Sequence, residues 1–173
     1  MKIALFVILL AVSTFAQVAS NPPFPVACGP EKMDFTVRLA DPPAEEQLEP
    51  GKARVYFIQD SGLWGDYEHF TLTVGLDGAW VGAYKHNSYF AVSVDPGEHH
   101  LCAKLQSSHV AGRVLTLAHF MAEPGTTYYF RTRFPRLGQI SNAPSYVDLQ
   151  LIDSDEGKYL IASYPLSIAQ PKK

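Results

Sequence analysis

The chain has 173 residues, enough for one domain with its own hydrophobic core, and its 47% apolar and 18% charged residues are typical of a globular protein. Its formal net charge is −3 and its isoelectric point about 6.0, so it lacks the basic field that binding to nucleic acid requires. We therefore expect no nucleic-acid partner.

The first predicted element is a secretory signal peptide over residues 1–20. Lys2 supplies the positive charge, Ile3–Val12 is a short apolar run, and the small residues that follow allow cleavage after Ala16 or Ser20. A membrane anchor is the alternative, but spanning a bilayer takes about 20 apolar residues. We expect an exported protein, periplasmic or extracellular, with no transmembrane segment after cleavage.

Export changes the interpretation of the two cysteines, Cys28 and Cys102. In an oxidising compartment a single pair most simply forms one disulfide. Lipidation of Cys28 would instead anchor a lipoprotein, but Pro25 stands where a lipidation signal has leucine or a similar residue. Two free thiols are the third possibility. The sequence favours the disulfide.

An N-terminal arm follows the signal peptide over residues 21–52. It is rich in proline and acidic residues, as in DPPAEEQLEPG at its end. Within it, MDFTVRL (33–39) alternates between apolar and polar residues as a short strand does. We predict an extended arm that contains one strand.

The region 53–166 reads as a nearly continuous series of strands and turns, before a C-terminal tail at 167–173. None of its segments sustains the periodicity of a helix, and frequent short strands with tight turns indicate an all-β fold. The nine candidate strands are ARVYFIQ, HFTLTVGL, AWVGAY, SYFAVSV, HHLCAKL, RVLTLAHFMA, TYYFRTRF, YVDLQLI and KYLIASY. We predict an antiparallel β-sandwich, immunoglobulin-like or prealbumin-like. A small α+β domain with a helix at 106–114 is the alternative.

The turns between these strands predict a register. Asp77-Gly78 suits a two-residue hairpin loop, and an acid-Pro-Gly triplet precedes three strands. If Asp77-Gly78, KHNS (85–88) and Asp95-Pro96-Gly97 each close a hairpin, the aliphatic residues of four strands share one face. The opposite face then holds a possible binding surface for a sugar ring or a peptide. Its members are Trp80, Tyr84, Tyr89, His100 and Lys104.

The same register places Cys102 beside Gly82 and Ala91, whose small side chains leave room for a crossing segment. We therefore expect the N-terminal arm to lie over this face, held there through Cys28. Burial of the aromatic side chains beneath the arm is the competing interpretation of the binding surface.

The sequence predicts neither a metal site nor a catalytic site. His99 and His100 are neighbours on one strand and point to opposite faces, so they cannot share an ion. The remaining histidines match no ligand motif. If Glu123-Pro124-Gly125 also closes a hairpin, His119 faces Phe130 as a hydrogen-bonded core residue. The acidic cluster at 153–156 reads as a solvated turn rather than a calcium loop. We expect no cofactor, although a hydrolase site assembled from distant segments stays an alternative.

Four segments carry a resemblance to a known family. They are PGKARVYF (50–57), VGLDGAWVG (74–82), NSYFAVSVDPGEHHLCA (87–103) and AEPGTTYYFR (122–131). The chain resembles the bacterial exported proteins grouped as domain of unknown function 2846, and more loosely the small envelope β-sandwich domains named for a Pro-Glu-Gly-Ala motif. The resemblance implies a β-sandwich in the envelope or outside the cell and brings no catalytic residues.

The expected function is that of a non-enzymatic, exported bacterial module that serves as an interaction or accessory part of the envelope. Its partner would be an envelope protein or a glycan, bound through the outward sheet face or an exposed edge strand. The alternatives are a carbohydrate- or peptide-binding module that uses the aromatic face, and an uncharacterised hydrolase.

Overall fold

The computed structural model describes residues 25–42, 48–61, 70–106, 114–134 and 147–172. The predicted signal peptide, His69, His109 and nearly all of the candidate helix at 106–114 lie outside these residues. The described chain contains β1 (Phe35–Ala40), β2 (Ala53–Gln59), β3 (Thr71–Leu76), β4 (Ala79–Lys85), β5 (Ser88–Val94), β6 (Gly97–Gln106), β7 (Leu115–Ala122), β8 (Thr127–Arg133), β9 (Asp148–Ile152), α1 (Ser154–Ser163) and β10 (Leu166–Pro171).

The strands form two sheets packed face to face. Sheet A has the order β1-β10-β5-β2-β8-β9, and sheet B has the order β4-β3-β6-β7. Most neighbours are antiparallel, but β2 pairs with β8, and β10 with β5, in parallel. Alternate residues such as Val55 and Phe57 of β2 enter one core between the sheets, because side chains alternate across a strand. The predicted all-β sandwich is confirmed.

The Asp77-Gly78 loop is a hairpin, but three other predicted hairpins are wrong. Both loop residues have positive φ, 50° and 87°, as the type I′ turn requires. The connections at 85–88, 95–97 and 123–125 instead carry the chain from one sheet to the other. A tight turn reverses the chain both in a hairpin and in a connection between two facing sheets. The turn sequence therefore does not decide whether the two strands that it joins pair with each other. The inward residues of β5 and β6, such as Phe90 and Leu101, are nevertheless those predicted.

A β-bulge changes which side chains of β4 point into the core. Val74 pairs with Gly82 and Gly75 pairs with Trp80, so Val81 is an extra residue. Beyond the bulge the alternation is inverted, and Tyr84 enters the core in place of Ala83.

The C-terminal part of the chain differs most from the prediction. KYLIASY (158–164) is not a strand, because Asp153 caps a helix by accepting hydrogen bonds from the amides of Asp155 and Glu156. The acidic cluster is therefore the start of α1 rather than a turn. The predicted tail at 167–173 contains most of β10, which pairs along its length with β1.

Helix α1 covers part of the outer face of sheet A. Leu160 packs with Ile58, Tyr89 and Tyr129 in a second apolar cluster. Gly157 allows α1 to approach β8 closely, because a Cβ atom at this position would lie 2.2 Å from the ring of Tyr129.

Candidate functional site: the outer face of sheet B

A disulfide fixes the segment before β1 to the outer face of sheet B. Cys28 and Cys102 are bonded, their Cα atoms are 5.1 Å apart, and the bond closes a sequence separation of 74 residues. We call residues 25–34 the strap. Gly75 of β3 makes room for it, because a Cβ atom there would lie 2.9 Å from the carbonyl oxygen of Ala27. Gly75 thus takes the place beside Cys102 that the predicted register gave to Gly82 and Ala91.

The strap covers Trp80. A Cβ atom on Gly29 would lie 2.3 Å from the indole ring, and the indole Nε1 donates a hydrogen bond of 2.8 Å to the carbonyl oxygen of Pro30. The ammonium of Lys104 donates a 2.8 Å hydrogen bond to the carbonyl oxygen of Glu31 and lies 5.7 Å from the centre of the Trp80 ring. Trp80 and Lys104 therefore hold the strap.

The five residues of the predicted binding face do not share one surface. Trp80, His100 and Lys104 lie on the outer face of sheet B. Tyr84 is fully buried in the sandwich core, because the bulge inverts β4, and its burial raises the pKa of its hydroxyl. Tyr89 lies in sheet A and is buried beside α1. The aromatic row is thus wrong, since its tyrosines point away from Trp80.

Beyond the strap, the outer face of sheet B is uncovered in the described structure. We call this part the β6–β7 surface, and its members are Glu98, His100, Leu117, His119 and Met121. The side chains of Leu117 and Met121 are large and apolar, yet these residues are 52% and 60% exposed. A depression of about 440 Å³ lies beside it, between the strap and the Asp77 turn.

His119 belongs to this surface and not to the core. Its Cα partner across the strands is His100, and the two ring centres are 6.3 Å apart. The core residue of β7 is its neighbour Phe120, which packs against Phe130. The predicted position of His119 is wrong because β7 and β8 do not form a hairpin.

Strand β7 is the last strand of sheet B in the described structure and pairs there with β6 alone. Its sequence, LTLAHFMA, contains no Asp, Glu, Lys or Arg. Exposed edge strands usually carry charges that prevent pairing with another chain. This edge carries none.

A histidine clip, in which His99 joins Asp77 to Asp95, borders the depression. The His99 Nδ1 atom lies 2.6 Å from the Asp77 carboxylate, and its Nε2 atom lies 2.7 Å from the carbonyl oxygen of Asp95. Burial opposes the charge, but hydrogen bonds to Asp95 and Asp77 raise the pKa of His99. Partial burial likewise favours protonation of Asp77, but hydrogen bonds from the His100 amide and His99 lower its pKa. The clip joins the turn at Asp77 to the turn at Asp95. In the first of these turns the amide of Gly78 donates a hydrogen bond to the carbonyl oxygen of Ala27 in the strap.

This clip predicts a pH dependence of stability. Because the pKa of His99 is raised by folding, its contribution is complete below the unfolded value of about 6.5 and is lost as the pH rises through the folded value. The depressed pKa of Asp77 makes its contribution complete above about 4 and lost at lower pH.

We expect the denaturation midpoint to fall from pH 6 to pH 8, and His99→Gln to reduce that fall. His119→Gln is the matched control, because its exposed ring has no such clip. An unchanged pH profile in His99→Gln would contradict the assignment.

The arrangement suits binding better than acid–base chemistry. Both nitrogens of His99 are hydrogen-bonded, and the Nε2 atom of His100 is 4.0 Å from the nearest Glu98 oxygen. Across the described residues, no group of three or more His, Cys, Asp or Glu side chains is placed to hold a metal ion. No helix in the described part of the chain is long and apolar enough to cross a membrane.

The fold and this surface define a β-sandwich in which a disulfide-bonded strap covers part of one sheet face. The chain belongs to the family described as protein of unknown function (DUF2846), which matches residues 49–143. The resemblance to that family is confirmed, whereas the looser one to Pro-Glu-Gly-Ala domains gains no support. Neither the curated proteins nor the solved structures include a match to this chain.

Proposed function

We propose that the protein is an exported, non-enzymatic module that binds another envelope protein through the β6–β7 surface and the edge of β7. One observation carries the proposal: an eight-residue edge strand without a charged residue displays Leu117 and Met121, each more than half exposed. The expected partner is an extended segment with apolar side chains at alternate positions.

Strand addition accounts for these features together. An extended segment that pairs with β7 would satisfy the backbone groups of the edge and cover Leu117 and Met121. The strap already covers Trp80, so Leu117 and Met121 of β7 are the exposed large apolar side chains that the described strands of this sheet face offer to a partner. Because each residue is already about half buried, covering the rest would contribute roughly 0.8–1.5 kcal/mol per side chain, half of the value for a fully exposed one.

Export is supported by the disulfide and by the character of residues 1–20. A buried bond between Cys28 and Cys102 is typical of an oxidising compartment. A non-enzymatic role is supported by the use of His99 in the clip. The glycan-binding alternative has weaker support, because the tyrosines on which it depended are buried in other parts of the fold.

Site-specific photo-crosslinking in intact cells tests the proposal. We expect a photoreactive amino acid in place of Leu117 to give one defined protein adduct, because that side chain lies at the interface. The matched control is Tyr159, which is 70% exposed but lies on α1. The adduct should weaken when His119→Lys adds a charge to the exposed face of the edge strand between Leu117 and Met121, provided that the purified variant keeps its melting temperature.

Two results would contradict the proposal. The first is an equal adduct from the Tyr159 position, which would indicate non-specific contact. The second is no protein adduct from either Leu117 or Met121 in cells that export the folded protein.

A further inference from the structure

We propose that the β6–β7 surface binds a copper ion through His100, His119 and Met121. This site does not depend on the protein partner, because its ligands all come from one chain. The inference rests on the pairing of the two histidines, the exposure of the methionine and the chemistry of the three donors.

The two imidazoles are close enough to share an ion. His100 and His119 are Cα partners on adjacent antiparallel strands and lie on the same outer face, with ring centres 6.3 Å apart. An ion held 2.0–2.1 Å from one nitrogen of each ring lies about 3 Å from each ring centre, so two such rings are separated by at most about 6.5 Å. The observed separation falls within this limit, so rotation of the two side chains can bring one nitrogen of each ring to a shared ion.

Met121 supplies the donor that selects the metal. It follows His119 by two residues on β7, so both side chains leave the same face about 7 Å apart along the strand. Met121 is 60% exposed, so its thioether can turn towards the two histidines. Imidazole suits zinc, nickel and copper, whereas a thioether favours Cu(I). Two imidazoles with one thioether are therefore a copper set.

The surroundings favour a cation. Glu98 is the Cα partner of Met121, and its carboxylate lies 4.0 Å from the Nε2 atom of His100. None of the five residues of the β6–β7 surface is a lysine or an arginine. On the other side of His119 stands Leu117, which offers no donor atom and is the natural control.

Titration of the purified, disulfide-intact chain with Cu(I) against a chromogenic chelator, and with Zn(II) in parallel, tests the site. We expect one Cu(I) per chain. Met121→Leu should weaken Cu(I) binding at least about tenfold, since even outer-shell partners of a metal are worth that much, and should leave Zn(II) binding unchanged. His119→Ala should weaken the binding of both ions, and Leu117→Ala should weaken neither.

The proposal would be overturned by full Cu(I) affinity in Met121→Leu, which would leave only a histidine pair. It would also be overturned by full Cu(I) affinity in His100→Ala or His119→Ala. The melting temperature and the intact disulfide are checked for each variant. His119→Asn is a second variant at this position, which keeps a polar side chain on the surface. Loss of Cu(I) binding in Leu117→Ala as well would point to disturbance of the strand and contradict the assignment.

Discussion

Replacing both cysteines, in the variant Cys28→Ala/Cys102→Ala, is expected to lower the free energy of unfolding by about 4 kcal/mol. The bond closes a sequence separation of 74 residues, and a cross-link of that span restricts the unfolded chain by about this amount. Denaturant unfolding measures the change. The slope of the transition should also rise, because an unfolded chain without the cross-link exposes more surface.

The same variant should release the strap while leaving the sandwich folded. Amide exchange of residues 25–34 is expected to become faster, whereas β2, which is paired between β5 and β8 in sheet A, should keep its protection. The control is the wild-type protein under reducing conditions, whose free energy of unfolding should match that of the variant. An unchanged stability together with unchanged exchange of the strap would contradict the role assigned to the bond.

Tyr84→Ala is expected to cost about 3–5 kcal/mol, the range for removing a large aromatic side chain from a core. Tyr84 is fully buried, and its ring centre is 5.5 Å from that of Phe90. The result distinguishes the bulged β4 from the regular hairpin that the sequence suggests, in which Tyr84 would face outward. Chemical denaturation gives the measurement.

Tyr159→Ala provides the matched control for this substitution. Tyr159 is 70% exposed on α1, so its removal should change the stability by less than about 0.5 kcal/mol. If Tyr84→Ala were equally mild, the bulge and the inward position of Tyr84 would both be wrong.

The faces of most strands could be predicted from the sequence, but their partners could not. In β5 and β6 the inward positions of Phe90 and Leu101 follow from alternation and from the turn between them, and both are correct. That alternation holds whether the turn joins paired strands or facing sheets. The choice between these depends on the fit of the whole core, which short-range patterns do not contain.

Two local features changed the chemistry assigned to particular residues. No residue type in β4 indicates the bulge at Val81. The bulge nevertheless moves Tyr84 from the predicted outer face to the core. The cap at Asp153 was present in the sequence, but the alternation of the following residues suggested a strand. The hydrogen bonds made by the cap favour the helix instead.

Only part of the candidate site was accessible to sequence reasoning. Two features could be predicted: the pairing of Cys28 with Cys102, from the expectation of export, and the passage of the arm over Trp80, from the expected sheet face. The surface position of His119 could not be predicted, because it depends on β7 pairing with β6 rather than with β8. No local signal distinguishes these partners, since an acid-Pro-Gly turn follows β7 in either case.

The strap and the β6–β7 surface are two parts of one arrangement. The disulfide holds the strap against Trp80 and Gly75, and this contact defines where the covered part of the sheet face ends. We expect release of the strap to uncover Trp80 and the neighbouring surface of sheet B.

Peptide mapping by mass spectrometry, on protein isolated from its native cells without reductant, is the decisive measurement for this arrangement. We expect one cross-linked peptide pair that contains Cys28 and Cys102, and no free thiol. Recovery of both cysteines as free thiols, or of either one in a bond to another molecule, would contradict it.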